Sequence, residues 1–233
     1  MKRFALLFKT FTKREYAERF LKGRIRAAPL EEYRATEDGE RMDFTDGTDF
    51  SPAENIQEVA INGHSIDLVP GSYLYFTPGE SANVLSMSGL LWPEDADSPD
   101  EAIDSFKEQL RRLALVHRKF GESTVLVSDA VDLGEKMVAL GRRKGYSVEG
   151  RGVEYVEETS FGLRYVAGDP GLRLRDLVFE KRLDFTEEQE FRIALWGALK
   201  DGPLFDIGPL KGWITSPKEL PRLQFRYTPA PVS

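Results

Sequence analysis

The sequence predicts an α+β fold: a single domain over residues 1–233 in which a mixed, mainly antiparallel sheet carries flanking helices. Three observations predict it. Short apolar and β-branched runs recur along the whole chain, whereas three segments combine helical spacing with start and stop signals. Asn62-Gly63, between Ile56–Ile61 and Ser65–Val69, is the strongest short-range hairpin signal, and a hairpin makes an antiparallel pair. No repeat, low-complexity tract or linker divides the 233 residues, a length that suffices for one large core.

The elements follow in order. Residues 3–9 are apolar without alternation from Phe4 to Phe8, which marks a central strand. Thr12-Lys13-Arg14-Glu15 has the form of a capping box. Tyr16, Ala17, Phe20 and Leu21 then fall at helical spacing, and Gly23 supplies the stop. Arg24 to Ala28 form a short second strand, so the chain opens strand–helix–strand. Residues 37–54 are polar and acidic, with Gly39, Gly47 and Pro52, and read as a long loop. Beyond the hairpin, Tyr73–Phe76 and Asn83–Ser88 are strands parted by Pro78-Gly79. Ser98-Pro99-Asp100-Glu101 opens a helix with a cap hydroxyl, Pro at its first position and acids against the dipole. Ile103, Phe106, Leu110 and Leu113 give that helix one apolar stripe, ending near Phe120-Gly121. Thr124–Val127 is a β-branched strand, after which Asp129 or Asp132 caps a helix carrying Leu133, Met137 and Leu140 and stopped by Gly145. Val153–Val156, Leu163–Val166, Phe191–Trp196 and Leu223–Tyr227 read as the remaining strands. Residues 171–182 are ambiguous with a helical leaning, and Pro229 and Pro231 mark a frayed tail at 228–233.

Composition narrows the chemistry. Without cysteine there is no disulfide framework, thiol nucleophile or Cys-ligated metal. With His64 and His117 as the only histidines, a His-rich metal site is excluded and no metal site is expected. His64 follows the Asn62-Gly63 turn and reads as an exposed turn residue; His117 continues the apolar stripe after Leu113 and reads as a partly buried histidine. The apolar run behind Met1 is five residues long and ends at Lys9, too short for a secretory segment, and no stretch reaches the length of a membrane span. The expectation is a cytoplasmic protein with no membrane association. The net charge of −7 argues against sequence-specific duplex-DNA binding, whose affinity comes from cations on phosphates. Signatures of P-loop nucleotidases, zinc proteases, calcium loops and serine hydrolases are absent, and Gly150-Arg151-Gly152 lacks the third glycine of a dinucleotide fingerprint.

The most informative segment is Phe185-Thr186-Glu187-Glu188-Gln189-Glu190-Phe191-Arg192. Glu188 and Glu190 stand one residue apart just before a strand. On an extended backbone such positions face the same way, so the two carboxylates converge. One orients a sugar hydroxyl while the other stabilises positive charge developing at an anomeric carbon, as cleavage through an oxocarbenium-like transition state requires. The plainer alternative is an acidic turn whose glutamates form surface pairs with Arg192 or Lys181.

The strand–helix–strand opening, the Leu85-Ser86-Met87-Ser88 strand and Glu188-Gln189-Glu190 before a strand occur in an order that resembles the ADP-ribosyltransferases. The chain is also similar to a bacterial and phage family of unknown function over about residues 4–195. That likeness rests on Arg41-Met42-Asp43, Ser86-Met87-Ser88, Val153-Glu154-Tyr155 and Lys181 followed by Glu188-x-Glu190-x-Arg192. The transferase resemblance implies an ADP-ribosyltransferase-like fold and NAD as the substrate, cleaved between nicotinamide and ribose. It implies Glu190 as the catalytic carboxylate, Glu188 as the group directing the acceptor, and Ser86 or Ser88 as support for the ribose. The strand arginine of that family is replaced here by Lys9 and Thr10, with Arg26 or Arg34 as substitutes. The bacterial and phage resemblance implies the cytoplasm of a bacterial cell.

Charge distribution supports two further readings. Residues 37–54 carry seven acids and one base, and 94–104 carry six acids. Such loops suit a non-catalytic interaction protein, for example an inhibitor of a host defence protein, that docks a basic protein partner. Residues 1–26 carry nine bases against two acids, which suits a phosphate-bearing ligand, and a nucleotide sensor is compatible with the same fold.

Overall fold

The computed structural model of the chain describes residues 4–30, 32, 49–52, 59–61, 64–66, 69–70, 73–76, 82–157, 175–197 and 203–225. The chain opens with β1 (Phe4–Phe11), α1 (Arg14–Leu21), β2 (Arg24–Arg26) and β3 (Ala28–Pro29). Four short strands follow, β4 (Asp49–Pro52), β5 (Val59–Ile61), β6 (His64–Ile66) and β7 (Tyr73–Phe76). Next come β8 (Ala82–Leu91), α2 (Pro99–Phe120), β9 (Ser123–Val127), α3 (Ala130–Lys144), β10 (Ser147–Gly152) and β11 (Glu154–Val156). The last elements are β12 (Glu180–Arg182), β13 (Glu190–Trp196), β14 (Leu204–Asp206) and β15 (Gly212–Thr215).

The fold is α+β with a mainly antiparallel sheet. Its strands run in the order β10-β13-β8-β1-β9-β15, and β3 adds to β8. Every pairing in this sheet is antiparallel. The continuous apolar character of β1 is explained by its place between β8 and β9. Leu7 enters one core with Leu85, Met87, Val125 and Ile193 under α1 and α3, while Phe8 enters the other with Leu90, Leu126, Leu110 and Leu113 under α2. Each fully buried Leu or Phe contributes about 1.5–3 kcal/mol, so these stripes, rather than helix propensity, hold the helices down.

Local signals explain the helix limits. Ser98 Oγ accepts from the Glu101 N–H at 3.2 Å, and Glu101 Oε2 accepts from the Asp97 N–H at 2.9 Å. The acids at the start of α2 thus serve its cap and dipole. Asp129 caps α3 by accepting from the Asp132 N–H, and Gly145 ends it in the left-handed region at φ 76°. Thr12 does not cap α1: the helix starts at Arg14, and Lys13 precedes it without a side-chain cap bond. The strands that flank Asn62-Gly63 pair antiparallel, β5 with β6, Ile61 opposite His64.

The end of the 37–54 stretch read as a loop is instead strand β4, paired antiparallel with β7, and three more strands escaped the sequence pattern. Among the described residues β10 has two glycines and pairs with β13 alone, β15 is an edge strand on β9, and β14 pairs with β2. Such strands take their conformation from their neighbours more than from their own residues. Leu223–Tyr227 is not a last strand where it is described: residues 223–225 follow the 3-10 turn Pro217–Arg222, and the Phe225 ring stacks on Phe106 at 5.1 Å. The ambiguous 171–182 stretch contains the 3-10 turn Leu177–Phe179 followed by β12. Leu163–Val166, residues 37–48 and the tail at 228–233 lie outside the described residues. Among the described residues, no helix is long and apolar enough to cross a membrane.

Candidate active site

The candidate site is built where β13 begins. In the β8–β13 register Ser88 stands opposite Glu190 and Ser86 opposite Arg192. Alternation places these four side chains on one face of the sheet. Glu188, however, is not extended with Glu190. It closes the 3-10 turn Leu183–Glu188, and Gln189 adopts φ 45°, ψ 52°, a left-handed conformation uncommon for a residue with a Cβ. The i, i+2 rule therefore does not account for the meeting of the two glutamates. A cation does.

Lys181 Nζ, projecting from β12, donates to Glu188 Oε2 at 2.8 Å and lies 3.6 Å from Glu190 Oε2. Arg192 grips Glu190 with two groups, Nε to Oε1 at 2.6 Å and Nη2 to Oε2 at 3.1 Å, while its Nη1 donates to the Val178 carbonyl at 2.7 Å. Ser86 Oγ also donates to Glu190 Oε1. The Glu190 N–H donates to the Tyr155 hydroxyl oxygen at 2.8 Å. The ion pairs foreseen for these glutamates are present, but as a buried cluster rather than a surface one. Side-chain exposure is 5% for Glu190, 4% for Lys181 and 2% for Arg192, against 19% for Glu188.

The two carboxyls are consequently pushed apart. For Glu190, burial favours the neutral acid, but Arg192 and then Lys181 outweigh it and hold the carboxyl down at about 2. For Glu188, burial raises the carboxyl, Glu190 adds to the rise, and Lys181 opposes it without cancelling it. Burial and then the Glu190 charge push the Tyr155 phenol upward. Glu190 is thus enclosed by cations, whereas Glu188 has the higher proton affinity of the two.

Glu188 also has somewhere to act. It lines a cleft of 570 Å³ between the C-terminal half of α2 and the 183–188 turn, together with Arg112, Lys119, Arg182 and Phe120 and the carboxylates of Asp184 and Glu187. A volume of this size lies in the range of small-molecule sites, about 300–1,000 Å³.

The other expected residues fall elsewhere. Ser88 is buried at its position opposite Glu190. Arg26 lines a separate cavity with Lys9, and Arg34 lies outside the described residues, as does Arg41-Met42-Asp43. Lys9, on β1, donates from Nζ to the Ser86 carbonyl at 2.7 Å, and so touches the strand that carries the serines. His117 is buried at 2% exposure, with Nδ1 2.6 Å from Thr10 Oγ1. His64 begins β6. No family model, curated protein or solved structure matches the chain. What can be said of chemistry therefore rests on these residues. The α2 side of the cleft had no legible signal, because Arg112 and Lys119 look like ordinary solvent-facing charges of an amphipathic helix. Most of the acidic 37–54 segment lies outside the described residues.

Proposed function

We propose that the chain is an NAD-dependent, ADP-ribosyltransferase-like enzyme in which Glu188 meets the substrate and Glu190 anchors the site. The observation that carries this reading is the shared cation. Lys181 ties Glu188 to the closed Glu190–Arg192 pair, which leaves Glu188 fixed at the wall of a cleft.

The cleft suits a dinucleotide. Arg112, which pairs with Glu108, Arg182, which pairs with Asp184 on the same wall, and Lys119 supply positive charge that a diphosphate would take over from these carboxylates, and Phe120 supplies an aromatic face. When the nicotinamide–ribose bond breaks, nicotinamide departs with the bonding electron pair and positive charge develops on the ribose. A carboxylate at Glu188 stabilises that charge, then accepts the proton released when the hydroxyl or other acceptor nucleophile adds to the ribose carbon. Its raised proton affinity suits the second task. Ser86, engaged with Glu190, and Tyr155, holding the Glu190 backbone, act as positioning residues.

Binding is the first test. NAD is expected to raise the melting temperature of the purified protein, and Arg112→Ala with Lys119→Ala is expected to abolish that rise. An unchanged melting temperature at saturating NAD contradicts the reading.

A further inference from the structure

The sheet has a notch on one edge of β8. β1 pairs with β8 only as far as Phe8 opposite Ser88, then follows β9 alone through Phe11 opposite Ser123. β3 returns to the same strand at Ala28 opposite Val84. Between them, Lys9 Nζ takes the Ser86 carbonyl. A cavity of 540 Å³ opens beside Lys9, walled by α1, β2 and β14.

Its charged lining is mainly cationic. Lys9, Arg19, Arg24 and Arg26 contribute four cations against the single carboxylate of Asp206. Arg26 pairs with Glu32, and Arg19 lies 5.8 Å from the Tyr16 ring centroid. Among the described residues, Arg19 and Arg24 have no carboxylate within ion-pair distance. Asp206 is occupied by the Gly208 N–H at 3.0 Å. The rings of Tyr16, which is exposed, and Phe205, which is buried in the core against Tyr146, share the lining. The walls are fixed by backbone bonds, Ile207 N–H to the Gly23 carbonyl at 3.0 Å and Leu210 N–H to that of Leu21 at 2.8 Å. A concentration of like charge in a walled, partly aromatic cavity is costly for the free protein and is relieved by an anion that also offers a flat ring.

We propose that this notch is a second ligand site, for a nucleoside monophosphate, with the phosphate on Arg19, Arg24 and Arg26 and the base against the exposed ring of Tyr16. It shares no lining residue with the Glu188 cleft, and it stands whether or not that cleft cleaves NAD. Lys9 connects the two regions, since it touches the notch, the Ser86 carbonyl and the field of Glu190.

Isothermal titration with AMP, adenosine and inorganic phosphate tests the assignment. AMP is expected to bind saturably, and at least tenfold more tightly than adenosine or phosphate alone. Arg24→Ala and Arg19→Ala, both at exposed positions, are each expected to weaken AMP at least tenfold while the melting temperature of the free protein holds. Glu188→Gln is expected to leave AMP affinity unchanged. The assignment is overturned if AMP gives no binding, if adenosine binds as tightly as AMP, or if AMP binding survives both arginine variants. Loss of AMP binding in Glu188→Gln alone would place the nucleotide in the other cleft and overturn it as well.

Discussion

Arg192 holds Glu190 by two hydrogen bonds, 2.6 and 3.1 Å long, inside the sheet rather than at its surface. A buried pair of this kind is not itself a large source of stability, but removing one member strands the other charge, at a cost of about 3–5 kcal/mol. Glu190→Gln leaves both Arg192 and Lys181 without their shared carboxylate. Urea denaturation of that variant is expected to show a loss within this range. A loss below about 1 kcal/mol would mean that the cluster does not organise the site.

The turn that separates the two glutamates is strained at Gln189, whose φ of 45° glycine adopts freely. Gln189→Gly is expected to be neutral or to gain up to about 1 kcal/mol, the relief being partly offset by the freer unfolded chain. Gln189→Val, β-branched in a left-handed position, is expected to lose more than about 1 kcal/mol. Both follow from urea midpoints, and equal midpoints for the two variants would refute the assignment of strain.

His117 gives the fold a dependence on acid. Burial, followed by the nearby Lys9 charge, lowers the ring to about 4 from an ordinary 6.5. Between these values the unfolded chain binds a proton that the folded one refuses, so stability is complete above pH 6.5 and falls as the pH drops to 4. The difference in unfolding free energy between wild type and His117→Leu is expected to shrink by about 3 kcal/mol across that window. A pH-independent difference would show that the ring takes its proton without unfolding.

The notch depends on one close approach. Gly23 sits at φ +86°, and a Cβ there would lie 1.9 Å from the Gly208 carbonyl oxygen. Gly23→Ala is expected to cost more than about 1 kcal/mol in thermal or urea unfolding. If the variant is as stable as wild type, the packing of the 207–210 segment on the α1–β2 turn is not what fixes that wall.

The parts legible in the sequence are those whose signal is local. Ser98 and Asp129 cap their helices because a short side chain next to a helical stripe has one good use for its oxygen. The strands on either side of Asn62-Gly63 pair as that hairpin signal predicts. β1 was legible as central because both of its faces are apolar. The site was only half legible. Glu188, Glu190 and Ser86 stand out as residue types, and Ser86 and Glu190 do meet. The split into a closed Glu190 and an open Glu188 depends on Lys181, which the sequence offered only as a surface partner, and on a left-handed Gln189, which has no sequence signature. Of the notch cations, Lys9 and Arg26 stood out singly in the sequence, but Arg19 and Arg24 only within a basic excess in residues 1–26, because the cavity is made by where β1 parts from β8 and where β14 returns.

The assignment of Glu188 as the group that meets the substrate is tested most directly by nicotinamide release from NAD, followed by chromatography, in the presence of a bacterial lysate as acceptor source. Wild type is expected to release nicotinamide, and Glu188→Gln to be slower by about 100-fold or more while it still binds NAD. The opposite result, no release by wild type or equal release by Glu188→Gln, would contradict it.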